Sequence, residues 1–135
     1  PANLAIGFSG DAPDIQEHAI AADLAIERVG YSETLFIDLR EESERVRDGI
    51  IPGSVHVPYQ HLRQNIKPGG LLAAIAANPD QELLLYCAYG ERSALATCEM
   101  HESGLVNTCH LAGGIDAWIK AGGPLDHPAE RTAQG

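Results

Sequence analysis

The segment Cys87-Ala88-Tyr89-Gly90-Glu91-Arg92-Ser93 holds the side chains of this chain best suited to chemistry. A cysteine leaves the apolar run Leu83-Leu84-Leu85-Tyr86, and an arginine follows after a spacer of four residues, where a helical stretch begins. A short turn between a strand and a helix aims several backbone N–H groups at one spot, a nest that binds an anion. The helix N-terminus adds partial positive charge there. Both effects favour thiolate over thiol at Cys87, and the thiolate is the nucleophilic form. Gly90 permits a backbone conformation that a Cβ resists. Arg92 brings a permanent cation. Ala88, Tyr89, Glu91 and Ser93 complete the candidate binding loop, in which Glu91 formally cancels the charge of Arg92. The plainer alternative is a cysteine that merely ends a buried strand. Its place between strand and helix, with Gly and Arg at these offsets, weighs for function.

Other residues have simpler expectations. Asp38 and Arg40 follow the apolar run Leu35-Phe36-Ile37. They could line the site, but a structural pair is expected, since a half-buried charge demands a partner. His56, between prolines, is expected to be exposed or hydrogen-bonded rather than catalytic, and Trp118 to pack in the core. Tyr89 fits a contact to a donor or partner as well as it fits plain surface. Cys98 and Cys109 could resolve an intermediate on Cys87 as a disulfide, but core packing is expected for both. The 11-residue spacing of Cys87, Cys98 and Cys109 is not a metal pattern. Neither Cys98-x-x-His101 nor Cys109-His110 is accompanied by a Cys-x-x-Cys knuckle, so no metal is expected.

The elements that must position these residues alternate between short strands and helices. A helix is expected from Asp11-Ala12-Pro13-Asp14, through Ile15, Ala19, Ala22 and Ile26, to a stop at Gly30. Strands are expected at Leu35-Ile37, Ser54-Val57, Leu83-Tyr86 and Cys109-Leu111. Helices are expected at Glu41-Arg47, Leu71-Ala77, Ser93-Ser103 and Ile115-Ala121. The run at Leu83 is apolar on both faces, as a central parallel strand would be. The alternation implies an α/β domain with a mainly parallel central sheet and helices on both faces. Ligands in such sheets sit beyond the C-terminal ends of the strands, where Cys87 lies.

Size and charge narrow the functional classes. At roughly 100–200 residues per domain, the 135-residue chain is one domain, drawn here as an N-terminal segment 1–10, a folded body 11–125 and a polar, fraying tail 126–135. Lys and Arg total 9 against 19 Asp and Glu, a net charge of −10, which disfavours nucleic acid and anionic membranes as partners. No apolar run reaches the roughly 18 residues of a membrane-spanning helix. The first residues show no signal peptide, so reduced cysteines and a cytoplasmic location are expected.

Four segments together resemble the rhodanese superfamily, the thiosulfate sulfurtransferases and their single-domain relatives. Cys87-x4-Arg92 is similar to the family's active-site loop. Phe36-Ile37-Asp38-Leu39-Arg40-Glu41 resembles its Asp-x-Arg-Glu segment. Gly49-Ile50-Ile51-Pro52-Gly53-Ser54-Val55-His56-Val57-Pro58 resembles its Gly-His-Ile-Pro-Gly-Ala segment. Leu111-Ala112-Gly113-Gly114-Ile115-Asp116-Ala117-Trp118 resembles its Leu-x-Gly-Gly-x-x-x-Trp ending. Ile50 stands where the family usually has His, a packing variation. Related phosphatases and arsenate reductases have one more residue between Cys and Arg. The shorter spacer here resembles the sulfurtransferase form, whose tighter loop suits one extra sulfur atom. The resemblance implies transfer of a sulfane sulfur from a donor such as thiosulfate, through a persulfide on Cys87, to cyanide or a thiol, with no cofactor. The alternative beside it is a persulfide carrier or protein-interaction module fed by a protein donor, with little thiosulfate activity.

Overall fold

The computed structural model describes residues 18–128. Five short strands form one wholly parallel sheet: β1 (Ala19–Ile20), β2 (Thr34–Asp38), β3 (Val55–His56), β4 (Glu82–Tyr86) and β5 (Thr108–Leu111). Their order across the sheet is β1-β5-β4-β2-β3. Parallel neighbours need long crossovers, and here these carry helices. The helices are α1 (Ala22–Ile26), α2 (Glu42–Asp48), α3 (Leu62–Ile66), α4 (Leu71–Ala76), α5 (Glu91–Glu102) and α6 (Gly114–Lys120).

The centre of the sheet is β4, paired with β2 from Thr34–Glu82 to Asp38–Tyr86 and with β5 from Leu83–Thr108 to Leu85–His110. Side chains alternate across a strand, so β4 feeds two cores. Leu83 and Leu85 share one face with Ile37 and Cys87, against Leu62 of α3, Leu72 of α4, and Ala96 and Met100 of α5. Leu84 and Tyr86 share the other with Phe36, against Ala22 and Ala25 of α1, and Ile115 and Trp118 of α6. Trp118 meets Phe36 edge to face and donates its indole N–H to the Pro124 carbonyl. The expected sandwich of helix, sheet and helix is what forms.

Three expectations need correction. The start of the expected first helix, from Asp11 to Ile15, lies outside the described residues. Further along, Ala19–Ile20 is strand, not helix: the His110 amide donates to the His18 carbonyl and the Ala112 amide to the Ile20 carbonyl. The outer edge of β5 offers unpaired backbone groups, and pairing them outweighs the helical spacing of Ala19 and Ala22. Between Tyr59 and Ile66 the structure has a 3-10 turn and α3, where no helix was expected; Leu62 anchors it in the core. The polar tail does not fray at its first residue. Asp126 and Ile50 exchange two backbone hydrogen bonds of 2.8 Å, and Ile50 is buried.

Candidate active site

The body of the loop is set by its glycines. Cys87 is the first residue beyond β4, at the C-terminal edge of the sheet. Gly90 caps the N-terminus of α5 at φ +110°, a region that favours glycine. This turn brings the Gly90 amide within 3.1 Å of Cys87 Sγ and the Ser93 amide within 3.4 Å, both as donors. Donors aimed at sulfur stabilise negative charge on it. The Ser93 hydroxyl lies 3.6 Å from the same sulfur.

A second helix terminus supports the loop from below. The amides of Ile115 and Asp116 in α6 donate to the carbonyls of Cys87 and Ala88, at 2.8 and 3.1 Å. A trans peptide sets its N–H opposite its C=O, so the amides of Ala88 and Tyr89 are turned away from α6. Gly114 makes this approach feasible. Its φ is +64°, and a Cβ there would stand 2.5 Å from the Cys87 and Ala88 carbonyl oxygens. The sequence Gly113-Gly114 is therefore part of the site's architecture.

Charge is distributed differently from the sequence expectation. Arg92 pairs with Glu44 of α2 through two hydrogen bonds of 2.8 and 3.0 Å, and its guanidinium also faces the Cys87 sulfur. Glu91 is exposed in the first turn of α5. Glu44 also accepts from the Glu41 amide, in a capping box at the start of α2. The hydrogen bonds from Arg92 foremost hold the Glu44 carboxyl down at about 2. Sequence reasoning missed Glu44. The Glu41-x-x-Glu44 spacing announces a capping box, but nothing local points to an arginine 48 residues away.

Asp38 and Arg40 are fully buried, and they pair with each other. Arg40 donates to both Asp38 oxygens, at 3.0 and 2.9 Å, and to the Gly49 carbonyl at 2.7 Å. The Tyr86 hydroxyl donates to Asp38 at 2.9 Å, and Arg45 donates to it at 3.2 Å. Burial alone would lower the pKa of Arg40; the bonds and charge of Asp38 outweigh this and raise it. Burial, then Asp38, pushes the Tyr86 phenol upward. His56 pairs with the Arg40 carbonyl at 2.6 Å. The network fixes the chain after β2 against β3 and β4.

Tyr89 is 65% exposed at the loop tip. Beside it opens a cleft of about 250 Å³, walled by Arg47, Asp48, Ala88, Tyr89, Ile115, Asp116 and Ile119. A larger cavity of about 340 Å³, around Gln81, Glu82 and Cys109, lies at the opposite ends of β4 and β5. Ligands of parallel sheets sit at the C-terminal strand ends, the side on which the former opens, although Cys87 itself is not part of its wall. Among the described residues no three His, Cys, Asp or Glu side chains converge as a metal site would require.

The model of the Rhodanese-like domain matches residues 21–121. The chain belongs to this family. A sulfurtransferase of Allochromatium vinosum is 29% identical over 98 residues, 71% of this chain and 81% of that protein. A tRNA uridine(34) hydroxylase of Yersinia enterocolitica is 25% identical over 114 residues, 83% of this chain but only 32% of that longer protein. The solved structure of a Rhodopseudomonas palustris protein, described as of unknown function and a possible tyrosine phosphatase, has a TM-score of 0.76 and 32% identity. The match covers 93% of this chain and 98% of that one. The rhodanese-like fold is thus shared across relatives with different names, so the loop must decide the chemistry.

Proposed function

We propose that this rhodanese-like chain, a single domain spanning 11–125, is a sulfurtransferase that carries a sulfane sulfur as a persulfide on Cys87. The observation that carries this reading is the pair of amides, from Gly90 and Ser93, donating to Cys87 Sγ in a loop with a four-residue spacer. In the first half-reaction the thiolate attacks the outer sulfur of thiosulfate. The S–S bond of the donor breaks, sulfite leaves with its electron pair, and Cys87 becomes a persulfide. In the second, a thiolate or cyanide attacks the terminal sulfur, and the Cys87 thiolate leaves. Backbone donors hold the migrating charge as an oxyanion hole would. Ala88, Tyr89, Gly90, Glu91, Arg92 and Ser93 form the cradle, and Asp38 and Arg40 support it.

The donor is open to a second reading, favoured by a specific observation. Arg92 is held by Glu44 in a two-point pair, which offsets part of the charge it turns toward Cys87. With a net charge of −10, a small dianion is opposed at long range. A protein persulfide donor, met in the cytoplasm, fits this site better than thiosulfate does. No helix among the described residues is long and apolar enough to cross a membrane.

Intact mass spectrometry after exposure to thiosulfate, and separately to a cysteine desulfurase with cysteine, tests both. Gain of one sulfur atom by the wild type and none by Cys87→Ser is the expected result. Sulfur gained by Cys87→Ser to the same extent would falsify the assignment.

A further inference from the structure

Cys87 is fully buried, which raises a question that the loop amides do not answer. They stabilise the thiolate, but the thiol proton must first go somewhere. Around Sγ, the hydrogen bond the thiol itself can donate runs to Ser93 Oγ, at 3.6 Å. A serine hydroxyl does not retain a second proton; it must pass its own onward. Among the described residues two groups stand within its reach. One is the Gly90 carbonyl at 3.2 Å, which has no useful basicity. The other is Nδ1 of His110 at 3.3 Å, on β5 next to the central strand and 4% exposed. An imidazole is the side chain best able to take a proton near neutral pH.

Resting on the reading of Cys87 as the nucleophile, we propose that Ser93 and His110 form a proton path out of the buried thiol. The S–H proton moves to Ser93 Oγ as the Ser93 hydroxyl proton moves to His110 Nδ1, in the tautomer that leaves this nitrogen bare. Cys87 becomes a thiolate, Ser93 remains a neutral hydroxyl and His110 becomes an imidazolium. No oxidant or co-reactant is needed. When an acceptor later displaces Cys87 from the persulfide, the leaving thiolate can regain the proton along the same line. Ser93 touches the reacting sulfur. His110 acts through it and is a positioning residue for the proton.

The test is the rate at which iodoacetamide alkylates Cys87 near neutral pH, followed by peptide mass mapping of the 135-residue chain. His110→Asn places an amide near Nδ1, keeping a hydrogen bond to Ser93 while removing the basic nitrogen. A role confined to packing would leave its rate unchanged. Ser93→Ala and His110→Asn are each expected to slow alkylation about tenfold or more, within reach of the roughly hundredfold a positioned acid–base group supplies. The double variant is expected to be no slower than the slower single one, because one path is cut once. A wild-type rate in His110→Asn, or losses that multiply in the double variant, overturns the proposal. Should His110→Asn fail to fold, Ser93→Thr against Ser93→Ala decides: the threonine hydroxyl keeps the rate, and equal losses overturn the path. Failure of the wild type to take up sulfur would instead defeat the function proposed above, and the alkylation rates would still judge the path.

Discussion

Cys87 and Cys109 are both buried, one just past the end of β4 and the other within the neighbouring β5, yet their surroundings ask opposite things of a thiol. Cys109 sits within β5 against the Leu84 and Trp118 core. Burial foremost, then the nearby Glu82 charge, pushes its thiol up to about 12. It remains protonated and inert. Cys87 is as dry, but it stands where β4 ends and the backbone turns, with amide donors at 3.1 and 3.4 Å. Burial therefore does not separate a structural cysteine from a candidate nucleophile. The direction of the neighbouring peptide dipoles does. The sharpest break in this contrast is by substitution. Cys87→Ser is expected to lose sulfur transfer entirely with the fold kept, whereas Cys109→Ser should keep most activity and lose some stability. Turnover together with a denaturant midpoint for each variant checks this, and the reverse pattern would undo the contrast.

The next effect tests whether the loop's conformation rather than its composition matters. Gly30 and Gly114 both have positive φ, at +88° and +64°, but a Cβ at Gly30 meets nothing within 4 Å whereas at Gly114 it meets three backbone atoms at 2.5 Å. Gly30→Ala should cost about 1 kcal/mol, the conformational penalty alone. Gly114→Ala must also push α6 off the carbonyls of Cys87 and Ala88. A loss of stability beyond about 2 kcal/mol is expected, together with slower sulfur loading on Cys87. Equal effects of the two substitutions, in urea titration and loading rate, would show that the α6 contact does not shape the loop.

The same contrast explains what was legible in the sequence. The strand at Leu83, the turn at Gly90 and the helix after it are local patterns, and local pattern places Cys87 at a strand end. The Gly113-Gly114 pair was visible as part of a motif but not as a support for Cys87, because that role depends on a docking between distant segments. Asp38 and Arg40 are two residues apart, so their pairing could be anticipated; the arrival of Tyr86 and Arg45 at Asp38 could not. Two-residue β1 is held by the β5 edge, and no propensity marks it. Glu44 and His110 carry ordinary local signatures, and their relation to the loop exists only in the folded sheet.

Glu44 gives a smaller and pH-dependent effect. Its carboxyl is held at about 2 against an ordinary 4.5, chiefly by the bonds from Arg92. A depressed folded-state value contributes stability that is fully present above 4.5 and is lost as pH falls toward about 2. The pair is partly exposed, so the contribution is on the order of 1 kcal/mol after solvent screening. The melting temperature of wild type should exceed that of Glu44→Gln near neutrality, and the gap should close across that acid window. A gap independent of pH would mean that the ion pair is not its source. Glu44→Gln also releases Arg92, so thiosulfate loading should rise by about two- to fivefold at low salt, the equivalent of up to 1 kcal/mol.

The smallest effect belongs to Glu91, and it separates the two acidic neighbours of the loop. By sequence, Glu91 cancels Arg92, and Glu91→Gln should strengthen thiosulfate binding. In the structure Arg92 is engaged by Glu44, while Glu91 is exposed in the first turn of α5. There its charge favours the helix N-terminus by roughly 0.3–1 kcal/mol. Its influence on an incoming dianion is screened over a Debye length of about 10 Å at ordinary ionic strength. Glu91→Gln should therefore leave the KM for thiosulfate nearly unchanged at moderate salt and lower stability slightly. Glu44→Gln should shift that KM downward under the same conditions. Steady-state kinetics of both variants at low and high salt decides the matter. A KM that falls in Glu91→Gln but not in Glu44→Gln would return the controlling charge to the loop itself.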